Sequence, residues 1–147
     1  SFSDVLTMFL ALNASVELYK GGVVPLAEYA QRPYDRDILV RVLVPKENAR
    51  VVYQSVRNSQ TDFPVLTCAA AKLADGSIRT AIGARPGKAV LYTAAPEAGE
   101  TAEEFAARFA AEVKAGIKTE SNLRGSAEYR RHLAGVLTKR AVCRLEG

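Results

Sequence analysis

The sequence predicts an α+β protein in which helices pack on one face of a mainly antiparallel sheet. Three observations carry that prediction. Strand-like runs, separated by glycine, proline and aspartate turns, fill most of the chain up to about residue 94. One pair of runs, 65–73 and 77–83, flanks Ala74-Asp75-Gly76, a compact hairpin signal that makes them antiparallel neighbours. Long helical periodicity is confined to the last third, after Thr101.

Taken in order, Ser3 or Asp4 can cap a helix reaching about Leu12. Its apolar residues Val5, Leu6, Met8, Phe9 and Leu10 cover more than one face, so it is expected to lie between two layers. Residues 14–20 alternate apolar and polar side chains as a half-buried strand does, and Gly21-Gly22 turns the chain. A short extended piece at 23–26 precedes one helical turn at 27–31, stopped by Pro33, and 37–44 is a strand ended by Pro45. Beyond it the strands lengthen: 49–57, a loop at 58–62, the hairpin, and 88–93. The segment before Pro45 therefore reads as a different unit from the rest. Thr101 with Glu104 forms a capping box, and Phe105, Phe109 and Val113 make one apolar stripe. A last helix over 126–145 is expected to turn Tyr129, Leu133, Val136 and Leu137 inward.

Composition excludes several classes. The chain has 147 residues, enough for about one domain, with glycine (10) and proline (6) near ordinary usage. No run approaches the ~18 apolar residues that a membrane span needs. Cys68 and Cys143 lie in apolar neighbourhoods and are expected to be buried, reduced thiols, which with no basic leader favours the cytoplasm. The net charge of +4 comes entirely from residues 118–147, which hold 7 basic and 3 acidic side chains. Such a cluster attracts acidic partners or phosphates, and it also suits a helix C-terminus.

Chemistry is sparse. His132, the one histidine, stands beside Arg130 and Arg131 and reads as a surface or interface residue. Ser126 is one and a half turns from it, so a hydrolase built on that pair is a remote alternative. Asp35 and Asp37 read as solvated turn residues, and Glu103 and Glu104 as first-turn acids that favour the helix dipole. Nothing has metal-ligand spacing, and no Walker loop or G-x-G-x-x-G is present. Nucleic-acid binding would interleave aromatics with the basic residues, and the last helix offers only Tyr129. A free-standing basic module for an acidic partner or nucleic acid is the alternative that these residues leave open.

Three stretches narrow the choice. The run SNLRGSAEYRRHLAGVL at 121–137 closely resembles the end of the flavin-binding (medium) subunits of molybdenum hydroxylases, the xanthine dehydrogenase and carbon monoxide dehydrogenase family. TDFPVL at 61–66 and IGARP at 82–86 resemble the first strands of that family's C-terminal domain and the loop after them. Ser3-Asp4 followed by LALNASVEL at 10–18 resembles the close of its FAD-binding domain. The resemblance implies a carbon monoxide dehydrogenase flavoprotein C-terminal-domain-like sandwich over 46–147, preceded by the tail of a truncated FAD-binding domain over 1–45. It implies electrons passing from molybdopterin through [2Fe–2S] clusters on partner subunits or domains to FAD, and on to NAD or another acceptor. Without the family's N-terminal phosphate-cradling lobe, the chain alone is expected to bind FAD weakly or not at all and not to be catalytic.

Carried over residue by residue, Asp4 matches the acid near the FAD ribose, and Ile38 and Leu39 match the apolar pair against the flavin, although an ordinary buried strand would look the same. Ser55 falls where many members place a lysine. Arg124, Tyr129, Arg130 and Arg131 lie in a packing motif, the arginines positioned to pair with carboxylates of an iron–sulfur or flavin neighbour. Val5, Leu6, Phe9 and Leu10 would pack on the missing lobe, and left open they invite self-association.

Overall fold

The computed structural model describes residues 4–33, 36–46 and 49–147. Ser3 as an alternative cap, and Asp35 beside Asp37, lie outside the described residues. The chain opens with helix α1 (Asp4–Ala11), followed by β1 (Ser15–Leu18), β2 (Gly22–Pro25), the single turn α2 (Leu26–Tyr29) and β3 (Leu39–Leu43). These strands form a small antiparallel sheet in the order β2-β1-β3. Gly22 takes the left-handed backbone that the β1–β2 turn requires, at φ +66°. Asp37 accepts backbone N–H groups of Lys20, Gly21 and Ile38 at 3.1, 2.8 and 2.8 Å. It locks that turn to the start of β3, so a turn role suffices for it.

The second sheet is a meander of β4 (Arg50–Val56), β5 (Leu66–Lys72), β6 (Ile78–Gly83) and β7 (Val90–Ala94), paired in sequence order and antiparallel throughout. Its β5–β6 hairpin turns at Gly76 (φ +84°), and Asp75 accepts the backbone N–H of Ser77 at 2.9 Å. Helices α3 (Ala102–Gly116) and α4 (Ala127–Glu146) follow. The predicted capping box is present: the Thr101 hydroxyl accepts from Glu104 N–H at 3.3 Å, and the Glu104 carboxylate accepts from Thr101 N–H at 2.9 Å.

The second sheet is buried on both faces. On one side Leu66, Cys68, Ala70, Ile78 and Ile82 meet Phe105, Phe109 and Val113 of α3 and Leu133, Leu137 and Leu145 of α4. Phe105 and Phe109 stack at 5.9 Å, and each buried ring contributes about 1.5–3 kcal/mol. On the other side the small residues Ala69, Ala71 and Ala81 face Leu10, Ala11, Val16 and Leu18 of the first unit. That unit has its own sheet but shares its core with the second.

Helix α1 comes unusually close to the sheet. Thr7, fully buried, exchanges a 2.9 Å hydrogen bond with Thr67. A side chain on Gly83 would place its Cβ only 2.3 Å from the Thr7 hydroxyl oxygen. Glycine is required there by space.

Four expectations change. Leu10 is buried (3% exposed), and of the supposed open patch Val5 stands out at 58%, while Leu6 and Phe9 are partly covered by the shared core. Tyr129 is 45% exposed, because the inward stripe of α4 runs through Arg130, Leu133, Ala134, Leu137 and Ala141, one residue round the helix. Cys143 is exposed for the same reason, flanked by buried Val142 and Leu145, whereas Cys68 is buried as expected and both thiols are free. Finally, β3 is an edge strand, not a buried one: Ile38 is 65% exposed, Leu39 43% and Val40 49%.

Candidate functional site

Strand β4 has two different faces. Val52 and Val56 pack toward α3 and α4, while Val51 and Tyr53 face the first unit. Alternation puts Ser55 and Arg57 on the side of Tyr53. There they meet the start of α1. The Tyr53 hydroxyl donates to Asp4 Oδ1 at 2.9 Å, and the Arg57 guanidinium pairs with Asp4 Oδ2. Partial burial and the Asp4 carboxylate accepting its hydroxyl push the Tyr53 phenol up to about 12. The hydrogen bond to Asp4 raises Arg57 further. Ser55, which stands where the resemblance leads one to expect a lysine, is uncharged, but Arg57 brings a cation to the same face.

The network continues. Arg57 donates to the Asp62 backbone carbonyl at 2.7 Å, and the Asp62 carboxylate accepts two bonds from Arg124 at 3.0 and 2.8 Å. Arg124 holds the Asp62 carboxyl below the usual carboxylate range and lies over the Phe63 ring at 5.2 Å. Asp4 and Arg124, singled out for separate reasons, thus end on one chain of polar contacts. Among the described residues no hydrogen bond or ion pair joins Asp4 to Ile38 or Leu39, which lie on the edge of the other sheet.

The loop 117–126 is held from beneath. Arg130 is fully buried and donates to the carbonyls of Val65 (2.9 Å), Glu120 (2.7 Å) and Gly125 (2.6 Å) and to Asn122 Oδ1 (2.6 Å). Burial lowers its guanidinium from the ordinary arginine value. The expected partner-facing role of Arg130 gives way to this one: four of its donors are spent inside the fold. Arg85 adds a bond to the Lys118 carbonyl at 2.6 Å, and Thr119 reaches the Ala127 carbonyl at 2.7 Å. Leu123, at the tip of the Asn122–Gly125 turn, is fully exposed, a feature that the sequence reading missed.

Arg131 and Tyr129 do face outward. Arg131 lines an open cleft of about 670 Å³ with Lys114 and Lys118, and an adjoining one of about 510 Å³ with Lys114, Ser126, Glu128, Tyr129 and His132. Ser126 and His132 share that second cleft, yet the Ser126 hydroxyl caps α4 by accepting from Tyr129 N–H at 3.1 Å. Among the described residues no cluster suited to a metal ion exists, and no helix is long and apolar enough to cross a membrane. The paired glycines at 21–22 form a hairpin turn, and Lys88, in the loop after Gly83, is tied by its ammonium to the carbonyls of Gln31 and Arg32. Neither segment is a phosphate-cradling helix entry.

The antiparallel meander with two helices on one face corresponds to a known family. Residues 51–145 fit the sequence profile of the CO dehydrogenase flavoprotein C-terminal domain, and the protein belongs to that family. The likeness among solved structures runs through nearly the whole chain. Quinoline 2-oxidoreductase from Pseudomonas putida 86 superposes with a TM-score of 0.78 at 19% identity, over 99% of this chain and 56% of that one. CO dehydrogenase from Hydrogenophaga pseudoflava, in a form lacking the Mo-pyranopterin moiety, gives 0.78 at 22% identity over 98% and 56%. Reconstituted CO dehydrogenase from Oligotropha carboxidovorans gives 0.77 at 20% over 99% and 57%. At these identities the fold is what is shared, and the protein spans little more than half the length of those chains. No curated protein matches it in sequence.

Proposed function

We propose that these residues are part of the FAD subunit of a molybdenum-hydroxylase-type oxidoreductase, resembling the xanthine dehydrogenase and carbon monoxide dehydrogenase enzymes. In this reading 46–147 is the subunit's C-terminal domain and 1–45 the tail of its FAD-binding domain. The observation that carries it is the extent of the likeness: the family profile begins at residue 51, but the structural match covers 98–99% of the chain. The first unit therefore has counterparts in oxidoreductase chains of which this chain covers 56%.

FAD, when bound, supplies the electron and hydride chemistry. The residues here fit its rim. Asp4 uses one site on each carboxylate oxygen for Tyr53 and Arg57, and is 40% exposed. An ionised carboxylate has about four acceptor sites, so ribose hydroxyls find acceptors left over. Tyr53 and Arg57 hold the carboxylate in a fixed orientation. Ile38 and Leu39 present an apolar edge suited to the flavin and to the rest of the FAD-binding lobe. Iron–sulfur and molybdopterin-bearing subunits supply electrons, NAD or another acceptor removes them, and the assembly works in the cytoplasm. Arg124, Tyr129 and Arg131 face those neighbours.

The test uses the whole subunit. Asp4→Ala is expected to lower the flavin absorbance per polypeptide, with a small fall in melting temperature from the lost Tyr53 and Arg57 contacts. Full flavin content in that variant overturns the ribose assignment.

A further inference from the structure

We propose that the trough between the end of α3 and the start of α4 binds an extended acidic segment of a partner protein. This deepens the assembly reading above by giving one surface a ligand class.

The two clefts described above share Lys114 and Arg131, so they form one continuous trough. Lys118 lines the first cleft and His132 the second. Lys114, Lys118 and Arg131 are exposed, and none has an ion-pair partner among the described residues. Several cations outside it are held in ion pairs: Arg108 with Glu100 at 2.8 Å, Arg124 with Asp62, and Lys72 with Glu146 at 2.7 Å. Lys114, Lys118 and Arg131 thus leave three positive charges along one trough open to a carboxylate.

The floor is rigid. Gly135 lets the helices approach so closely that an added Cβ would meet Lys114 Cβ at 3.3 Å, which pins the lysine stem. Arg85, Thr119 and Arg130 fix the loop carbonyls beneath Lys118. A preorganised surface of this kind loses little entropy on binding. The shape favours a chain over a compact anion, because the cations are spread along an open trough. Glu128 interrupts the positive lining, and Tyr129 and the His132 ring are the aromatic groups that line it. A nucleic-acid backbone, which places a charge at every step and stacks its bases, fits this less well than carboxylates spaced along a peptide.

The probe is a fluorescein-labelled decapeptide of alternating glutamate and serine, titrated into the chain at low salt and followed by anisotropy. Half-saturation below about 1 mM is expected, with Arg131→Glu and Lys114→Glu each weakening binding about tenfold and Arg140→Glu, elsewhere on α4, changing it less than about twofold. Circular-dichroism melting accompanies each variant, and if Lys114→Glu does not fold, Arg131→Glu decides alone. Absent binding, equal loss in all three variants, or tighter binding of a single-stranded oligonucleotide of equal charge overturns the proposal. Since no flavin enters the measurement, such a failure leaves the flavin-subunit reading to its own test.

Discussion

Arg130 is a charged side chain built into the fold, fully buried with four hydrogen bonds. Among the described residues it has no carboxylate partner, and its guanidinium is retained inside because three backbone carbonyls and one side-chain amide converge on it. Arg130→Met leaves those acceptors buried without donors, so a loss of about 3 kcal/mol is expected in urea denaturation. A variant within about 0.5 kcal/mol of the wild type would show that the loop reorganises freely. Charge alone suggested a partner-facing arginine. Helix phase held the better signal, since Arg130 lies three, four, seven and eleven residues before Leu133, Ala134, Leu137 and Ala141, all buried. Tyr53 makes a pH prediction. Its folded value, about 12, lies above the ordinary 10, so the native state holds the phenolic proton longer than the unfolded chain. Its contribution to stability is complete below pH 10 and is lost as pH rises toward about 12, with Tyr92 acting in the same direction. Tyr53→Phe should flatten part of that alkaline decline in melting temperature. The two thiols should also separate: Cys143 is exposed, and burial pushes the Cys68 thiol up to about 12. A thiol reagent should label Cys143 in the native protein and reach Cys68 only on unfolding.

At the scale of elements, strands and helices were legible because each announces itself locally. Alternation marked β1 and β4, the Asp75-Gly76 turn marked β5 and β6 as a hairpin, and the Thr101–Glu104 box marked the start of α3. Docking of α1 was not legible, because it depends on small residues from distant strands forming one surface. Ala69, Ala71 and Ala81 make that surface low, and Gly83 lets Thr7 reach Thr67. Gly83→Ala forces a Cβ against both threonine hydroxyls, at 2.3 and 2.6 Å. A loss of about 1–3 kcal/mol and earlier proteolysis within α1 are expected. The candidate site followed the same division. Asp4 was found through a motif, whereas Tyr53 and Arg57 gather around it only once β4 is packed against α1.

For the whole molecule, the exposed edge is the dominant feature. Strand β3 ends its sheet with Ile38, Leu39, Val40, Leu43 and Val44 each more than a third exposed. An unpaired apolar edge is a template for pairing with another chain. The isolated chain should therefore self-associate with rising concentration in light scattering, and Val40→Lys should suppress this. The sequence resemblance indicated that something belongs here, but only the sheet order shows that β3, and not α1, carries most of the uncovered surface. All of this follows if the chain supplies the rim of a flavin pocket whose phosphate cradle lies elsewhere in the subunit. Titrating the chain with FAD while following flavin fluorescence tests that most directly. No saturable binding is expected at flavin concentrations up to about 100 μM, and micromolar affinity would contradict the account.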